Sequence, residues 1–383
     1  MPILEALGRE LTTIHAPGAP LLTVSLDLRA PALGWAPAGP NAVRQALNEE
    51  ATRLGLSSQA ELRSFKEDLA RLDSAIEEAT AEGAQGLFFV GCSGEDVAYD
   101  VALPSPFRNS ARIGERSWLF ELERARYLFG QPFTVVFVEM HNISMARVRY
   151  GEEAETAGVD YNKHWLSKKA GRTNIEGRSG SVAAGAMGAG SGPMGGHSKN
   201  RVNQIVEEHR REFAREAAAE LEAFIGDAER FLLAGVPEAR SQLLAQLDRG
   251  LAGRVLEVAA APVGADPAGL ANAVLVLSSN QQRDDADAAA REWLSGAVGE
   301  RLAAGRTAVL ASLAEGRLAE LVVHEESVRH LGTAEDTRAQ GPDDDEPIGE
   351  ILRLAKETDV ALRFGREPIL LDDYEGVVGM SRW

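Results

Sequence analysis

A glycine-rich tract between residues 170 and 196 is the feature that most restricts how this chain can fold. It contains nine glycines interspersed with serine and alanine, and its few apolar residues follow neither a helical nor a strand spacing. This composition predicts a flexible segment that contributes little to a packed core. The core must therefore come from the residues on either side of the tract.

The flanking residues predict a domain that the tract interrupts. Phe133 to Val138 and the alternating residues up to Tyr150 predict a β-hairpin that turns at His141-Asn142. Downstream, apolar residues keep a helical spacing from Ser198 to Ile225, which predicts a long amphipathic helix. A strand, a helix and a strand are then expected at Phe231–Val236, Glu238–Leu247 and Val255–Val258. A linker would lie between domains, whereas this tract lies inside one.

The outer thirds of the chain also predict mixed α/β structure. The first third indicates strands at Leu22–Leu28, Leu87–Val90 and Val97–Leu103, with a helix spanning Leu62–Ile76. The last third indicates an alanine-rich helical stretch at Pro267–Ala314, a strand at Leu318–Val323, a helix at Ile348–Lys356 and strands near Val360–Phe364 and Val377–Met380. A chain of 383 residues exceeds what one core usually serves. We therefore expect an α/β (mixed α+β) protein of three domains: 1–127, 128–262 with the glycine-rich loop at 170–197, and 263–383.

Charge is distributed unevenly along the chain. The formal net charge is −18, so the average surface repels nucleic acids and anionic membranes. Residues 162–201, in contrast, contain seven cations and one acid, Glu176. The cations are Lys163, Lys168, Lys169, Arg172, Arg178, Lys199 and Arg201. Long loops inside compact domains are usually functional, and so concentrated a positive charge favours a phosphate backbone as the target. The alternative is a glycine-serine linker whose lysines only keep it soluble.

Several functional classes find no support in the sequence. Cys92 is the only cysteine, so neither an internal disulfide nor a cysteine-based metal site can form, and Cys92 itself is expected to be a buried structural residue. No P-loop or dinucleotide fingerprint follows the glycines. We expect no metal and no cofactor. The residues Met1 to His15 lack the apolar core of a signal peptide, and no stretch is long enough to span a membrane, so a cytoplasmic location is expected.

Two segments resemble a known superfamily. The run Gly195-Gly196-His197-Ser198-Lys199-Asn200-Arg201-Val202, which opens the long helix, resembles the Gly-Gly-Gln-Ser segment of archaeal and eukaryotic peptide-chain release factors. The run from Val309 to Val323 resembles the helix, Gly-Arg turn and strand of the final domain in that superfamily. The order and spacing agree over the whole chain, and the first domain is most similar to that of the bacterial members. The chain is thus similar to the bacterial branch of the archaeo-eukaryotic release factor superfamily, which is related to class-I release factors, Pelota and Vms-type peptidyl-tRNA hydrolases.

The resemblance implies a protein that binds the ribosome and inserts its glycine-rich loop toward the peptidyl-tRNA. It implies catalytic roles for Gly195, Gly196 and His197, with the family's glutamine replaced by His197. It also implies contacts of the basic residues with rRNA or tRNA, and in addition an elongation-factor-like GTPase as a partner; we expect a monomer. Residues 1–127 contain no Asn-Ile-Lys-Ser-like stop-codon motif, which disfavours codon-specific termination.

Three hypotheses about function follow. The first is codon-independent peptidyl-tRNA hydrolysis in ribosome rescue or quality control. The second is a noncatalytic factor of the same fold that binds hibernating or stalled ribosomes. The third is an adaptor with no ribosomal role.

Overall fold

A computed structural model describes residues 3–17, 19–29, 39–103, 105–140, 142–148, 155–160, 195–225, 230–257, 267–297, 299–328 and 346–383. These residues form a mixed α/β structure with three separate sheets, as the sequence predicts. The chain divides into two compact units. The larger unit combines Met1–Gln131 with Leu275–Trp383, and the smaller unit is Pro132–Val274. The proposed division into three domains with limits near 127 and 262 stays a prediction.

The N-terminal part of the larger unit is an antiparallel sheet with helices packed against it. Its elements are α1 (Ile3–Thr13), β1 (Leu21–Asp27), α2 (Pro40–Arg53), α3 (Gln59–Ala81), β2 (Gly86–Cys92), β3 (Val97–Leu103), β4 (Ser110–Gly114) and α4 (Phe120–Phe129). The strand order is β3-β2-β1-β4. Helix α3 begins with a capping box, because the Ser58 hydroxyl accepts from the Glu61 amide and the Glu61 carboxylate accepts from the Ser58 amide. Leu72 of α3 and Leu47 of α2 pack against Val24 of β1 in one cluster.

Strand β1 departs from its expected pattern, since alternating polar residues predict one exposed face and the structure buries both. Thr23 and Ser25 are 2% and 0% exposed. The Ser25 hydroxyl donates to the Arg108 carbonyl at 2.5 Å, and the Thr23 hydroxyl accepts from the Trp118 amide at 3.0 Å. These hydrogen bonds compensate for burial of the hydroxyl groups, which is why short polar side chains are tolerated on a covered face.

The smaller unit contains the interrupted domain. Its elements are β5 (Phe133–Val138), β6 (Asn142–Val148), β7 (Glu155–Asp160), α5 (Gly195–Phe224), β8 (Phe231–Gly235), α6 (Pro237–Leu244), α7 (Arg249–Ala252) and β9 (Val255–Glu257). The strand order is β7-β6-β5-β8-β9, with β5–β6 and β6–β7 antiparallel and β5–β8 and β8–β9 parallel. The predicted hairpin, long helix and strand-helix-strand sequence are confirmed, and β7 was not predicted. The glycine-rich residues 170–194 lie outside the described residues.

The C-terminal part of the larger unit forms the third sheet. Its elements are α8 (Pro267–Glu292), β10 (Leu302–Ala304), α9 (Arg306–Ala314), β11 (Leu318–His324), α10 (Glu346–Glu357), β12 (Ala361–Gly365), α11 (Pro368–Tyr374) and β13 (Val377–Ser381). The strand order is β10-β13-β11-β12, and only β11–β12 is a parallel pair.

The expectation of continuous helical structure from Pro267 to Ala314 is wrong. Helix α8 ends at Glu292, and β10 separates it from α9. Three glycines between the helices, Gly296, Gly299 and Gly305, adopt φ values of 85°, 56° and 84°. A left-handed backbone ends a right-handed helix, and glycine adopts it without the strain of a side chain. The high alanine content conceals this interruption in the sequence.

Candidate functional site

The candidate site begins at the N-terminal end of α5. The backbone of Gly195, Gly196 and His197 forms the first turn of this 30-residue helix, and Lys199 and Arg201 follow within the first two turns. The structure thus brings five of the sequence-predicted site residues together on one helix end. The other five, Lys163, Lys168, Lys169, Arg172 and Arg178, lie outside the described residues. The first backbone N–H groups of a helix have no partner within the helix, so this turn presents donors to an external acceptor.

Helix α5 is held to its sheet through its C-terminal half. Phe213, Ala217 and Leu221 are buried and pack against the β-sheet, in one cluster with Val136 of β5 and Met145 of β6. Phe213 lies 18 residues after Gly195, which corresponds to about 27 Å at 1.5 Å per residue. Phe213 and the two glycines are therefore far apart along the helix axis.

Arg147 fixes the C-terminal end of the same helix. Its guanidinium donates to the Phe224 carbonyl, lies 4.8 Å from the centre of the Phe224 ring, and forms an ion pair with Glu155 at 2.8 Å. A cation bound to a terminal carbonyl also interacts favourably with the helix dipole. Arg147 was missed in the sequence, because a single cation in an alternating strand carries no signal of what it will cap.

A glycine fixes the course of the chain after β8. Gly235 has a φ of 115°, and a Cβ atom there would lie 2.0 Å from the Val138 carbonyl oxygen. The next amide, from Val236, donates to that same carbonyl at 2.9 Å. Only glycine allows this close approach of the two parallel strands. This contact brings the ends of β5 and β8 together inside the sheet on which α5 rests.

The charges along α5 oppose the usual preference of a helix. Its first turn contains no acidic residue and its last turn no basic residue. Lys199 and Arg201 instead add positive charge in the second turn, near the positive end of the helix dipole, where a cation costs at most roughly 0.3–1 kcal/mol. A sequence that tolerates this cost concentrates positive potential next to Gly195 and Gly196. The arrangement suits an anionic ligand such as a nucleic acid phosphate.

A cleft of about 800 Å³ in the larger unit is a second place where a ligand could bind. Its charged lining is largely paired, since Glu50 binds Arg53 and Glu350 binds Arg353. The Arg112 guanidinium lies 5.1 Å from the centre of the Trp118 ring, and a Cβ atom at Gly349 would lie 2.7 Å from that ring. Nothing in this lining selects one class of ligand.

The sequence also led to expectations about Cys92, metal binding and membrane spans, which can be compared with the residues that the structure describes. Cys92 is fully buried, as expected, and burial raises the pKa of its thiol. Among the described residues, no three histidine, cysteine, aspartate or glutamate side chains lie together so as to hold a metal ion. Within the same residues, no helix combines the length and the apolar character required to cross a membrane.

Comparisons with known proteins agree with the resemblance seen in the sequence. Residues 128–283, about two fifths of the chain, match the model of Bacterial archaeo-eukaryotic release factor family 10. A search of curated proteins finds no match.

Solved structures of archaeal and yeast proteins also match this chain, at low sequence identity. An archaeal translation termination factor, aRF1, is 16% identical over 99% of this chain and 97% of its own, with a TM-score of 0.25. Pelota from Archaeoglobus fulgidus is 17% identical over 78% and 79%, with a TM-score of 0.38. Dom34 from S. cerevisiae, a translation termination-like factor involved in RNA quality control pathways and interacting with Hbs1, is 9% identical over 75% and 74%, with a TM-score of 0.37.

Proposed function

We propose that this chain is a ribosome-associated translation factor, a proposal supported by the match of its residues 128–283 to the model of Bacterial archaeo-eukaryotic release factor family 10. The observation that supports this most directly is the position of Gly195, Gly196 and His197. They form the first turn of a long helix inside the matched domain, and two cations follow them. We propose that this helix end reaches the peptidyl-tRNA on the ribosome.

The first proposed activity is codon-independent hydrolysis of the peptidyl-tRNA ester. Two successive glycines are poor helix formers, so the first turn can unwind at small cost and bring its backbone close to a substrate. A backbone N–H at His197 would then stabilise the oxyanion that forms when water attacks the ester carbonyl. The imidazole of His197 would take the proton from that water. The products are a free peptide carboxylate and a deacylated tRNA.

The second proposed activity uses the same fold without catalysis. His197 stands where the superfamily has a glutamine amide, and an imidazole differs from an amide in both shape and hydrogen-bonding pattern. In this alternative the helix end occupies the active centre of an idle or stalled ribosome and blocks it. His197 is the residue that favours this alternative.

The basic residues would supply affinity in either case. We propose that Lys163, Lys168, Lys169, Arg172, Arg178, Lys199 and Arg201 bind phosphates of rRNA or tRNA, which would overcome the repulsion expected from a net charge of −18. The proposal places the protein in the cytoplasm as a monomer and needs no cofactor. We also propose that an elongation-factor-like GTPase delivers the protein to the ribosome.

Release of labelled peptide from stalled ribosome complexes tests the two activities. If His197 is catalytic, His197→Ala lowers the release rate by roughly 10²–10⁴-fold while binding persists. If the protein is noncatalytic, the wild type releases nothing above background, and His197→Gln either gains release or stays inactive. Ribosome cosedimentation is measured for every variant. Absence of cosedimentation of the wild type at low salt would contradict both activities and favour the adaptor hypothesis.

A further inference from the structure

A buried carboxylate joins two distant parts of the larger unit. Glu325 follows β11 and is 0% exposed. Its Oε1 accepts from the Arg283 Nε at 2.5 Å. Its Oε2 accepts from Arg108 at 3.1 Å and from Arg366 at 3.3 Å, and a nitrogen of Arg124 lies 4.0 Å away. Arg108 and Arg124 belong to the N-terminal part of the unit (up to Gln131), and the other two arginines belong to the C-terminal part (from Leu275).

The Glu325 side chain is ionised in this environment. Burial alone would raise the pKa of its carboxyl, but the charges of Arg124, Arg283 and Arg108 outweigh burial and hold the pKa below its usual range. Arg108 also donates to the Glu325 backbone carbonyl at 2.8 Å. The carboxylate and its arginines therefore form a charged hub in which each part of the unit supplies two guanidinium groups.

The N-terminal side of the hub is itself buried and paired. Arg124 is 5% exposed and donates twice to Glu121, at 2.6 and 3.1 Å. Arg124 therefore cannot turn toward solvent without breaking these bonds. Loss of the Glu325 charge would leave two buried cations, Arg124 and Arg283, with Glu121 as the buried carboxylate beside them, and an uncompensated buried charge is strongly destabilising.

Apolar packing and a second ion pair follow the same junction. Phe120 of α4 lies in the core of the C-terminal sheet, with its ring edge-on to Phe364 at 5.4 Å. The Tyr127 hydroxyl donates to the Gln282 carbonyl at 2.6 Å. Lys356 of α10 forms an ion pair with the buried Glu123 at 2.9 Å. Helix α4, which belongs to the N-terminal part, thus packs into the core of the C-terminal sheet.

We propose that the Glu325 hub is a lock that makes the N-terminal and C-terminal parts of the larger unit one cooperative body, so that neither part opens without the other. This inference concerns the mechanics of the fold and does not depend on the proposed function. It predicts that the surfaces contributed by the two parts keep a fixed arrangement while the protein works.

Hydrogen exchange of the full chain, followed by mass spectrometry, tests the lock. In the wild type, the slowest amides of β1 and β11 should exchange through one shared opening, with the same free energy and the same denaturant dependence. In Glu325→Gln, one of the two strands should exchange roughly 100- to 1000-fold faster than the other, because the buried cations no longer hold the parts together. Glu326→Gln is the matched control, since Glu326 is 62% exposed and lies 3.8 Å from Arg108, and it should leave both rates within about threefold.

Two results would overturn the proposal. Different opening free energies of β1 and β11 in the wild type would show that the parts are independent already. Equal acceleration of both strands in Glu325→Gln would show that Glu325 stabilises the unit without joining its parts. If Glu325→Gln does not fold, Arg108→Gln weakens the hub more mildly, because Arg124 remains 4.0 Å from Glu325. The lock then requires the β1 and β11 rates to separate in Arg108→Gln as well, by a smaller factor.

Discussion

Two buried acids in the larger unit have opposite surroundings. Glu325 is surrounded by arginines and has a lowered pKa, whereas Asp68 of α3 is 0% exposed and has a raised pKa, mainly because burial removes its hydration. The Asp68 Oδ1 accepts from the Ser93 amide at 2.8 Å and from the Ser93 hydroxyl at 2.5 Å. Asp68 is therefore needed as a hydrogen-bond acceptor, while its charge disfavours the folded state.

Asp68→Asn should separate these two roles. The folded pKa of Asp68 lies above its unfolded value, so the folded state binds the extra proton and stability falls as the pH rises from the unfolded pKa through the folded pKa. Asparagine keeps the acceptor oxygen without the charge. We expect Asp68→Asn to be at least as stable as the wild type at pH 7, and its advantage to shrink as the pH falls toward 4. Urea unfolding across this pH range measures both.

Asp68→Ala is the control for the hydrogen bonds. It leaves the Ser93 donors without their acceptor and should be roughly 1–3 kcal/mol less stable than Asp68→Asn at every pH, because neither variant carries the charge. If Asp68→Asn loses as much as Asp68→Ala at pH 7, the carboxylate charge is stabilising and the assignment of its pKa shift is wrong.

Individual residues show why part of the site could not be predicted from sequence. Gly195, Gly196 and His197 carry a local motif, so their position at the start of a helix follows from adjacent residues. Glu325 and Arg108 lie far apart in the chain, and ionic partners at such a separation leave no periodic or local signal. Buried arginines also resemble surface arginines in a sequence, because nothing local marks them as paired.

At the level of elements, helices α5 and α4 contrast a predicted helix that buries one face with a missed helix whose burial is nearly complete. Helix α5 shows an apolar stripe, and its predicted range differs from the observed one by three residues at its start and one at its end. Helix α4 was missed, because eight of its ten residues are buried and they include Glu121, Glu123 and Arg124. Charges on a buried helix conceal the amphipathic pattern that identifies helices.

Neutralising the cations at the start of α5 should have opposite effects on folding and on binding. In Lys199→Gln/Arg201→Gln, removal of charge from the positive end of the helix dipole should stabilise the helix by up to about 0.3–1 kcal/mol per residue. The same change should weaken ribosome binding if these side chains contact phosphate. Equilibrium unfolding and ribosome cosedimentation measure the two effects on the same variant.

Arg211→Gln provides the comparison within the same helix. Arg211 is exposed and lies near the middle of α5, so its neutralisation should change stability by no more than about 0.5 kcal/mol and leave ribosome binding unchanged. A double variant that is both less stable and equally well bound would show that the start of α5 acts only as a structural element.

At the scale of the whole molecule, a net charge of −18 repels RNA, so ribosome binding must depend on a small basic part of the chain. Residues 162–201 carry seven cations and one acid. If these cations bind RNA, affinity must fall steeply with ionic strength, because each neutralised phosphate releases condensed counterions. The remaining acidic surface would then limit contacts to the proposed segment and disfavour nonspecific RNA.

Replacing Lys168, Lys169 and Arg172 by alanine tests this division of charge. Each lost phosphate contact should flatten the log–log salt dependence of ribosome affinity by about 0.7–0.9, so the triple variant should lose roughly 2–3 from the slope. Fold stability should change by no more than about 0.5 kcal/mol, as for most surface substitutions. The control variant replaces three exposed cations of the N-terminal part, Arg9, Arg63 and Lys66, and should keep the wild-type slope. An unchanged slope and affinity in the first variant would mean that the glycine-rich tract does not contact RNA, and the linker alternative would then account for it.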